Sequence, residues 1–318
     1  MTDRDNQSSF PNTLDSEREL ELIQAEQLLE FGKFELEQSN HEQARQHYQE
    51  ALSTYRSHKD PNGEARAMSA IANVCRAQGQ FNQAIDLFEQ AIEVLHTVGD
   101  KRNQASSMGN LAVIYLTLGQ KNRALTLFGQ ALTIHREMGN KRSEGITIGN
   151  MGSMYQTEGQ HGQAIEYFEQ AIGILGEIGD MPNQASCLGN MGDALFHIGQ
   201  YKEAESAFWK AINICDDTFP MAAGAFRGSL ALMLAQQGRS DESDTLFQIG
   251  ESQVKVRPDE HAKFICKRGL VSTLKGNTNE ARADLQTAKE ISIQLQTDHD
   301  SEVNQLISKL QTIVESDT

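Results

Sequence analysis

The stretch MGNLAVIYLTLGQKNRALTLFGQA, residues 108–131, contains two amphipathic segments on either side of Gly119. In the first segment, apolar and small residues recur at spacings of three, one and three positions, which places them on one face of an α-helix. In the second segment, Ala124, Phe128 and Ala131 also mark one helical face. Gly119 lies where a helix end commonly needs a left-handed residue without a Cβ atom. The stretch therefore predicts a helical hairpin.

This hairpin recurs along the chain with a period of 40 residues, because the marker glycines are Gly79, Gly119, Gly159 and Gly199. An alanine, a phenylalanine and a second alanine follow each of them at the same offsets; the phenylalanines are Phe88, Phe128, Phe168 and Phe208. The small residues before each glycine predict close helix packing, and the phenylalanines predict a filled core. A fixed period of this length is typical of a stacked solenoid, which offers a long surface rather than one catalytic pocket.

The period continues with drift at both ends of the repeated region. In an earlier hairpin, Phe31 keeps the register of an apolar position and Ser39 replaces the glycine. Two later hairpins follow, and in the second of them Arg268 and Ser272 stand at positions that are apolar elsewhere. Residues 303–313 then describe one more amphipathic helix, which fits the terminal cap that a solenoid needs.

Composition excludes several classes of function. The net charge is −16, from 44 acidic and 28 basic residues, so a phosphate-binding stripe and hence a nucleic-acid partner are disfavoured. There is no apolar stretch long enough to span a membrane, and the first residues do not resemble a signal peptide. The four cysteines are scattered, which predicts buried thiols in a reducing compartment. We therefore expect a cytoplasmic protein without a metal or other cofactor.

The motifs M-G-N-L-A-V-I-Y at Met108–Tyr115 and A-L-T-L-F-G-Q-A at Ala124–Ala131 resemble the tetratricopeptide repeat. The resemblance covers about residues 18–297. The period is 40 residues rather than 34, and no proline lies near the end of the second helix. This longer form is similar to the repeats of kinesin light chains, cell-polarity adaptors and many bacterial regulators, most of which bind peptides or proteins.

The resemblance implies an all-α, right-handed superhelical α-solenoid of about seven tetratricopeptide repeats with a C-terminal capping helix. We expect residues 1–17 to be a disordered acidic and polar tail, residues 18–297 to form the solenoid, and residues 298–318 to form the capping helix and a tail. In such solenoids the first helices line the concave face.

One column on that face is the strongest candidate for a binding site. Asn110, Asn150 and Asn190 precede the apolar–small pair in three consecutive hairpins, although asparagine is a mediocre helix former. A side-chain amide can pair both backbone groups of an extended peptide, and in the related families an asparagine ladder at this column clamps the peptide backbone. The alternative is that each asparagine bonds a neighbouring helix or loop within the stack.

Neighbouring positions on the same face would set specificity: Asn73, Arg76, Ser153, Gln156, Asp193 and Phe196. Of the residues that hold a C-terminal carboxylate in chaperone adaptors of this fold, only Asn73 has a counterpart, which disfavours a chaperone-tail receptor. Phe196 either anchors an apolar partner or packs within the stack.

These observations predict a non-catalytic adaptor or scaffold that binds a peptide segment of another protein in its concave groove. None of the P-loop, nucleophile-elbow or H-E-x-x-H motifs is present. Two alternatives stay open. The protein could be an assembly protein that associates, including with itself, through its convex faces or its ends, or it could be a receptor for a small signalling peptide.

Overall fold

The computed structural model describes residues 13–38, 40–295 and 301–316. These residues contain fifteen α-helices and no strand. Their contacts divide the chain into two units, Met1–Gly139 and Asn140–Thr318. Each unit is a stack of helical hairpins, so the predicted all-α repeat solenoid is confirmed.

Unit 1 contains three hairpins. Within each hairpin the two helices pack side by side, and the second helix of one hairpin packs against the first helix of the next. The helices are α1 (Thr13–Glu37), α2 (His41–Ser57), α3 (Pro61–Ala77), α4 (Phe81–Val98), α5 (Lys101–Thr117) and α6 (Lys121–Glu137).

Unit 2 contains four hairpins and one further helix, which packs on both helices of the last hairpin. The hairpins are formed by α7 (Lys141–Thr157), α8 (His161–Glu177), α9 (Met181–His197), α10 (Tyr201–Cys215), α11 (Pro220–Gln236), α12 (Ser240–Val254), α13 (Pro258–Leu274) and α14 (Thr278–Leu295). The further helix is α15 (Glu302–Ser316), which matches the predicted cap.

The repeated phenylalanines fill the space between the helices of their hairpins. Phe88, Phe128, Phe168 and Phe208 are all fully buried. The small residues make room for them: a Cβ atom at Gly152 would lie only 2.8 Å from the ring of Phe168. Close packing around large aromatic side chains is therefore the source of the strict sequence period.

Glycine and capping residues end and begin the helices. All four marker glycines have a positive φ, between 70° and 79°, which residues with a Cβ atom rarely adopt. Asp60, Asp100, Asn140 and Asp180 then cap the first helices of the following hairpins, each accepting a backbone N–H bond. Four of the five prolines stand at the first or second position of a helix, as the sequence predicts.

The tail predicted at residues 1–17 overlaps the first helix. Helix α1 begins at Thr13, so residues 13–17 of the predicted tail are helical, because the Glu- and Leu-rich sequence that follows favours helix. Residues 1–12, Ser39, residues 296–300 and residues 317–318 lie outside the described residues. Helix α15 buries Val303, Ile307 and Leu310 and leaves polar side chains on its outer face.

The last hairpin is regular in spite of its polar residues. Arg268 donates to Asp284 at 3.1 Å and 2.7 Å and to Glu251 at 2.8 Å. This ion cluster joins three helices, α12, α13 and α14, at a position where the other hairpins use apolar contacts. A charged residue at a core position is thus compensated by two carboxylates.

All four cysteines are free and buried, and they lie in four different helices. Burial raises the pKa of Cys187 to about 11 and the pKa of Cys266 to about 12. The predicted role of these thiols as small apolar core residues is confirmed.

Candidate functional site

The first helix of each hairpin contacts the first helix of the next hairpin in the same unit. These contacts link α1, α3 and α5 in unit 1, and α7, α9, α11 and α13 in unit 2. The second helices of successive hairpins are not in contact in the described residues of either unit. The first helices therefore line the narrower side of each stack, and we call these faces the inner surfaces of units 1 and 2.

Hydrogen bonds between polar side chains join successive first helices on the inner surfaces. They connect Ser69 with Ser107, Ser153 with Asn190, and Ser229 with Lys267, at 2.8, 3.4 and 2.8 Å. A serine hydroxyl takes part in each bond, and its small size allows the two helices to approach. Part of the polar character of the inner surfaces therefore serves the stack itself.

The three asparagines of the predicted column are half-buried on the inner surfaces, and they differ in their bonds. Asn190 donates to the hydroxyl of Ser153, which in turn donates to the carbonyl of Gly149 at 3.3 Å. For Asn190, the structure thus contains the bond within the stack that the sequence left as an alternative. The side chains of Asn110 and Asn150 make no hydrogen bond among the described residues of their own units.

The glycines that precede these asparagines have a packing role that sequence reasoning missed. A Cβ atom at Gly189 would lie 2.2 Å from the Phe226 ring, and one at Gly149 would lie 2.9 Å from the Cys187 sulfur. In both cases the obstructing side chain belongs to the first helix of the next hairpin. The repeated G-N dipeptide in unit 2 therefore combines a contact point between helices with a polar group beside it.

In unit 1, the predicted site residues Asn73, Arg76 and Asn110 lie on α3 and α5. Asn73 and Asn110 line a groove of about 340 Å³, and Asn73 donates to the carbonyl of Ser69 at 3.2 Å. Arg76 is half-buried without an ion pair among the described residues, and its Nε has no hydrogen-bond partner. Burial lowers the pKa of Arg76, and no carboxylate in the described part of the chain forms an ion pair with it to oppose this shift.

In unit 2, the predicted site residues lie on α7 and α9. Asp193 lies on α9 and is half-buried. This burial raises the pKa of Asp193 to about 6; the positive charge of Lys267 lowers it and the negative charge of Glu302 raises it further. Asp193 is therefore a carboxylate whose charge is poorly compensated.

The remaining predicted residues of unit 2 are Gln156 and Phe196. Gln156 is half-buried on α7, one turn beyond Ser153. Phe196 packs partly against the hydrophobic core, and its ring centre lies 5.7 Å from that of His197 and 6.0 Å from that of Tyr201. Its contacts within the stack match the second of the two interpretations that the sequence left open.

Two grooves lie away from the inner surfaces. In unit 1, a groove of about 790 Å³ lies between α4 and α6, with Met108, Leu111 and Tyr115 of α5 as its floor. In unit 2, a groove of about 600 Å³ lies between α12 and α14, and Arg268 and Lys275 are among the charged residues that line it. The unit 1 groove is the more apolar of the two, and neither contains a predicted site residue.

Metal-binding clusters and membrane-spanning helices are both absent from the described residues. The described residues contain no group of three or more His, Cys, Asp and Glu side chains that could hold a metal ion. None of the helices in the described part of the chain is long and apolar enough to cross a membrane.

Comparison with known families agrees with the hairpin geometry. The sequence profile of the tetratricopeptide repeat matches residues 24–97, 64–137 and 143–217. The chain belongs to the tetratricopeptide repeat family. The comparison with curated proteins gives no match.

Several solved structures with tetratricopeptide-like helical stacks are similar to this chain. Aspartyl phosphate phosphatase F from Bacillus subtilis is 18% identical, with 88% of this chain and 73% of that chain covered and a TM-score of 0.68. The apo form of RapI is 15% identical, with coverage of 86% and 98% and a TM-score of 0.67. NprR in complex with its cognate peptide NprX is 16% identical, with coverage of 94% and 92% and a TM-score of 0.62. At these identities the likeness shows the fold alone.

Proposed function

We propose that this tetratricopeptide repeat protein is a binding protein without catalytic activity, and that the inner surface of each unit holds an extended peptide segment. The segment would belong to a partner protein or be a small signalling peptide. The observation that carries the proposal is the pair of half-buried amides, Asn110 and Asn150, which lack side-chain hydrogen bonds within their units. An amide offers two donors and an acceptor, which is what an extended peptide backbone needs from a neighbour.

Two charged groups support the proposal and suggest what the peptide carries. Arg76 of unit 1 has no counter-ion among the described residues, so an acidic side chain or a carboxylate terminus of the ligand would compensate its charge. Asp193 of unit 2 would gain in the same way from a basic side chain or an amino terminus. We therefore propose that a peptide held by unit 1 carries an acidic group and that a peptide held by unit 2 carries a basic one.

The family and its structural neighbours support peptide binding in general terms. NprR, which has a similar fold, is described in complex with its cognate peptide NprX. The net charge of −16 supports a protein or peptide ligand rather than a nucleic acid. The four buried free thiols are consistent with a reducing compartment, and we place the protein in the cytoplasm.

Peptides selected from a random display library on the wild-type chain would test the proposal. Their affinities are then measured on the triple variant Asn110→Ala, Asn150→Ala and Asn190→Ala. We expect a loss of at least tenfold in affinity, since each lost backbone hydrogen bond contributes about 1 kcal/mol. Circular dichroism should show the same helix content.

The matched control is Asn213→Ala, which removes an exposed amide from a second helix, α10. It should leave the affinity unchanged. Equal binding by the triple variant and by this control would contradict the role of the asparagine column.

A second candidate function is association through the outer groove of unit 1. The observation that favours it is the groove of about 790 Å³ with its apolar floor on α5. Thr126→Trp would fill this groove with a large side chain while leaving the inner surface unchanged. If selected peptides lost affinity for this variant and kept it for the triple asparagine variant, the outer groove would be the binding site.

A further inference from the structure

Four large apolar side chains are exposed along one face of α1. The exposed fractions are 55% for Leu20, 51% for Ile23, 59% for Phe31 and 58% for Phe34. Their spacings of three, eight and three residues place them on a single helical stripe about 21 Å long. We call these four residues the α1 stripe. Together they expose roughly 400 Å² of apolar surface, which is the size of the largest, often functional, apolar patch on a soluble monomer.

The repeat register shows which kind of element fits the α1 stripe. Phe31 and Phe34 hold the positions that Ile71 and Val74 occupy in α3. Ile71 and Val74 are only 5% and 0% exposed, and α2 packs against α3 from the preceding hairpin. The equivalent residues of α5 are also buried, and α4 packs against α5 in the same way. The Phe31 and Phe34 part of the α1 stripe therefore has the side chains that receive a preceding helix in the next two hairpins, and Leu20 and Ile23 extend it along α1.

The charges around the α1 stripe indicate the chemistry of that helix. Helix α1 contains eight acidic residues and only two basic ones. Glu17, Glu19, Glu30 and Glu37 are exposed and make no ion pair among the described residues. Within the stripe, Gln24 and Gln27 add no charge. A helix that docks here would thus meet an apolar centre with an acidic rim.

We propose that the α1 stripe docks an amphipathic helix of another protein, whose apolar face is flanked by lysine or arginine. A second copy of this chain is disfavoured, because a twofold pairing of α1 helices would place two acidic rims opposite each other. Residues 1–12 contain only Met1, Phe10 and Pro11 as apolar residues, too few to cover four large side chains. The proposal does not depend on the binding of peptides to the inner surfaces.

The other end of the helical series differs in this respect. Helix α15 buries its apolar residues against α13 and α14, and its exposed side chains include Gln305, Ser308, Lys309 and Thr312. A polar outer face is what closes a solenoid. Helix α15 thus does not share the exposed apolar stripe of α1.

Synthetic helical peptides test the proposal on the full chain. One 18-residue peptide carries leucine at positions i, i+3, i+4 and i+7 with lysine on its flanks. A second peptide replaces each lysine by glutamate, and a third scrambles the lysine peptide so that no apolar face forms. Fluorescence anisotropy of labelled peptides gives the affinities. We expect binding of the lysine-flanked peptide only, and weaker binding as the salt concentration rises.

The variant Phe31→Gln with Phe34→Gln removes the centre of the α1 stripe without changing the net charge. It should weaken binding of the lysine-flanked peptide at least tenfold, whereas Ile293→Gln, at a still more exposed apolar residue on α14, should not weaken it. A second variant, Glu19→Lys with Glu30→Lys, keeps the stripe and should also weaken binding. This variant keeps the test decisive if the glutamine variant unfolds.

Four outcomes would overturn the proposal. The first is equal binding of the lysine- and glutamate-flanked peptides. The second is binding that neither double variant affects. The third is a chain lacking residues 1–12 that binds at least tenfold more tightly, which would identify those residues as the occupant. The fourth is a dimer in light scattering that Phe31→Gln with Phe34→Gln converts to a monomer, which would identify a second copy as the occupant.

Discussion

The ion cluster of the last hairpin offers a quantitative test of how this stack is stabilised. The side chains of Arg268 and Asp284 are 32% and 10% exposed and share two hydrogen bonds. We expect Asp284→Asn to lower the free energy of unfolding of this hairpin by about 2 kcal/mol. Each charge-assisted bond contributes about 1.5–3 kcal/mol. The loss is limited because the asparagine oxygen can still accept one bond, the bond to Glu251 remains, and Arg268 is partly solvated.

The matched control copies the preceding hairpin, in which Leu230 and Leu246 stand at the two equivalent positions. The double variant Arg268→Leu with Asp284→Leu replaces the ion pair by an apolar contact. We expect its stability to lie within about 1 kcal/mol of the wild type, because removing both charges also removes their desolvation cost.

One hairpin of a stacked repeat protein can open while the others stay folded. The global unfolding curve must therefore be combined with a measurement of local opening. Urea unfolding followed by circular dichroism gives the overall change, and amide hydrogen exchange in α13 and α14 gives the local one. The protection of the α13 and α14 amides against hydrogen exchange should fall in Asp284→Asn and be retained in the double variant. If Asp284→Asn cost less than about 0.5 kcal/mol while the double variant cost several, the cluster would not stabilise the hairpin as described.

Two further predictions follow from the inner surface of unit 2. Burial raises the pKa of Asp193 to about 6, whereas an unfolded aspartate has a pKa of about 4. The folded state therefore binds this proton more tightly than the unfolded state does. As a result, the free energy of unfolding should fall as the pH rises from about 4 to 6. Asp193→Asn should remove this pH dependence of the free energy of unfolding, and at pH 8 the variant should be more stable than the wild type by on the order of 2 kcal/mol. Urea unfolding of both proteins at pH 5 and pH 8 measures the difference. The same pH dependence in both proteins would contradict the prediction. Gly189→Ala should destabilise by about 1–3 kcal/mol, because the new methyl group would overlap the phenylalanine ring of the next hairpin. Gly173→Ala, inside α8 with no atom near the new Cβ, should stabilise by up to about 1 kcal/mol; thermal unfolding of the pair checks the opposite signs.

Much of the fold could be predicted from the sequence because the repeat preserves local chemistry. The 40-residue period, the marker glycines and the buried phenylalanines gave the helices, their turns and their core faces, and each depends on residues within one hairpin. The last hairpin and the capping helix were predictable for the same reason.

The exposure of Phe31 could not be predicted in this way. Its register is that of a buried residue, and a period states which positions are equivalent but not whether a neighbour covers them. Arg268 illustrates the converse case. Its compensation depends on carboxylates 16 and 17 residues away on two other helices, and no local pattern shows that the three meet.

The positions of the candidate residues in the fold could be predicted in part. The sequence placed the asparagine column on the first helices, and the structure finds these residues half-buried on the inner surfaces. The bond between Asn190 and Ser153 joins two hairpins, so only the distance between helices reveals it. The missing counter-ion of Arg76 is likewise a property of the folded surroundings. The role of the column in binding remains a prediction.

The four buried thiols can be used to measure local opening of the helical packing. Cys75, Cys187, Cys215 and Cys266 lie on α3, α9, α10 and α13. Because each sulfur is buried, its alkylation depends on local opening of the packing around its helix. The labelling rate of each cysteine therefore measures how often that part of the stack opens. Mass spectrometry of the labelled peptides would rank those openings along the chain without introducing any foreign residue.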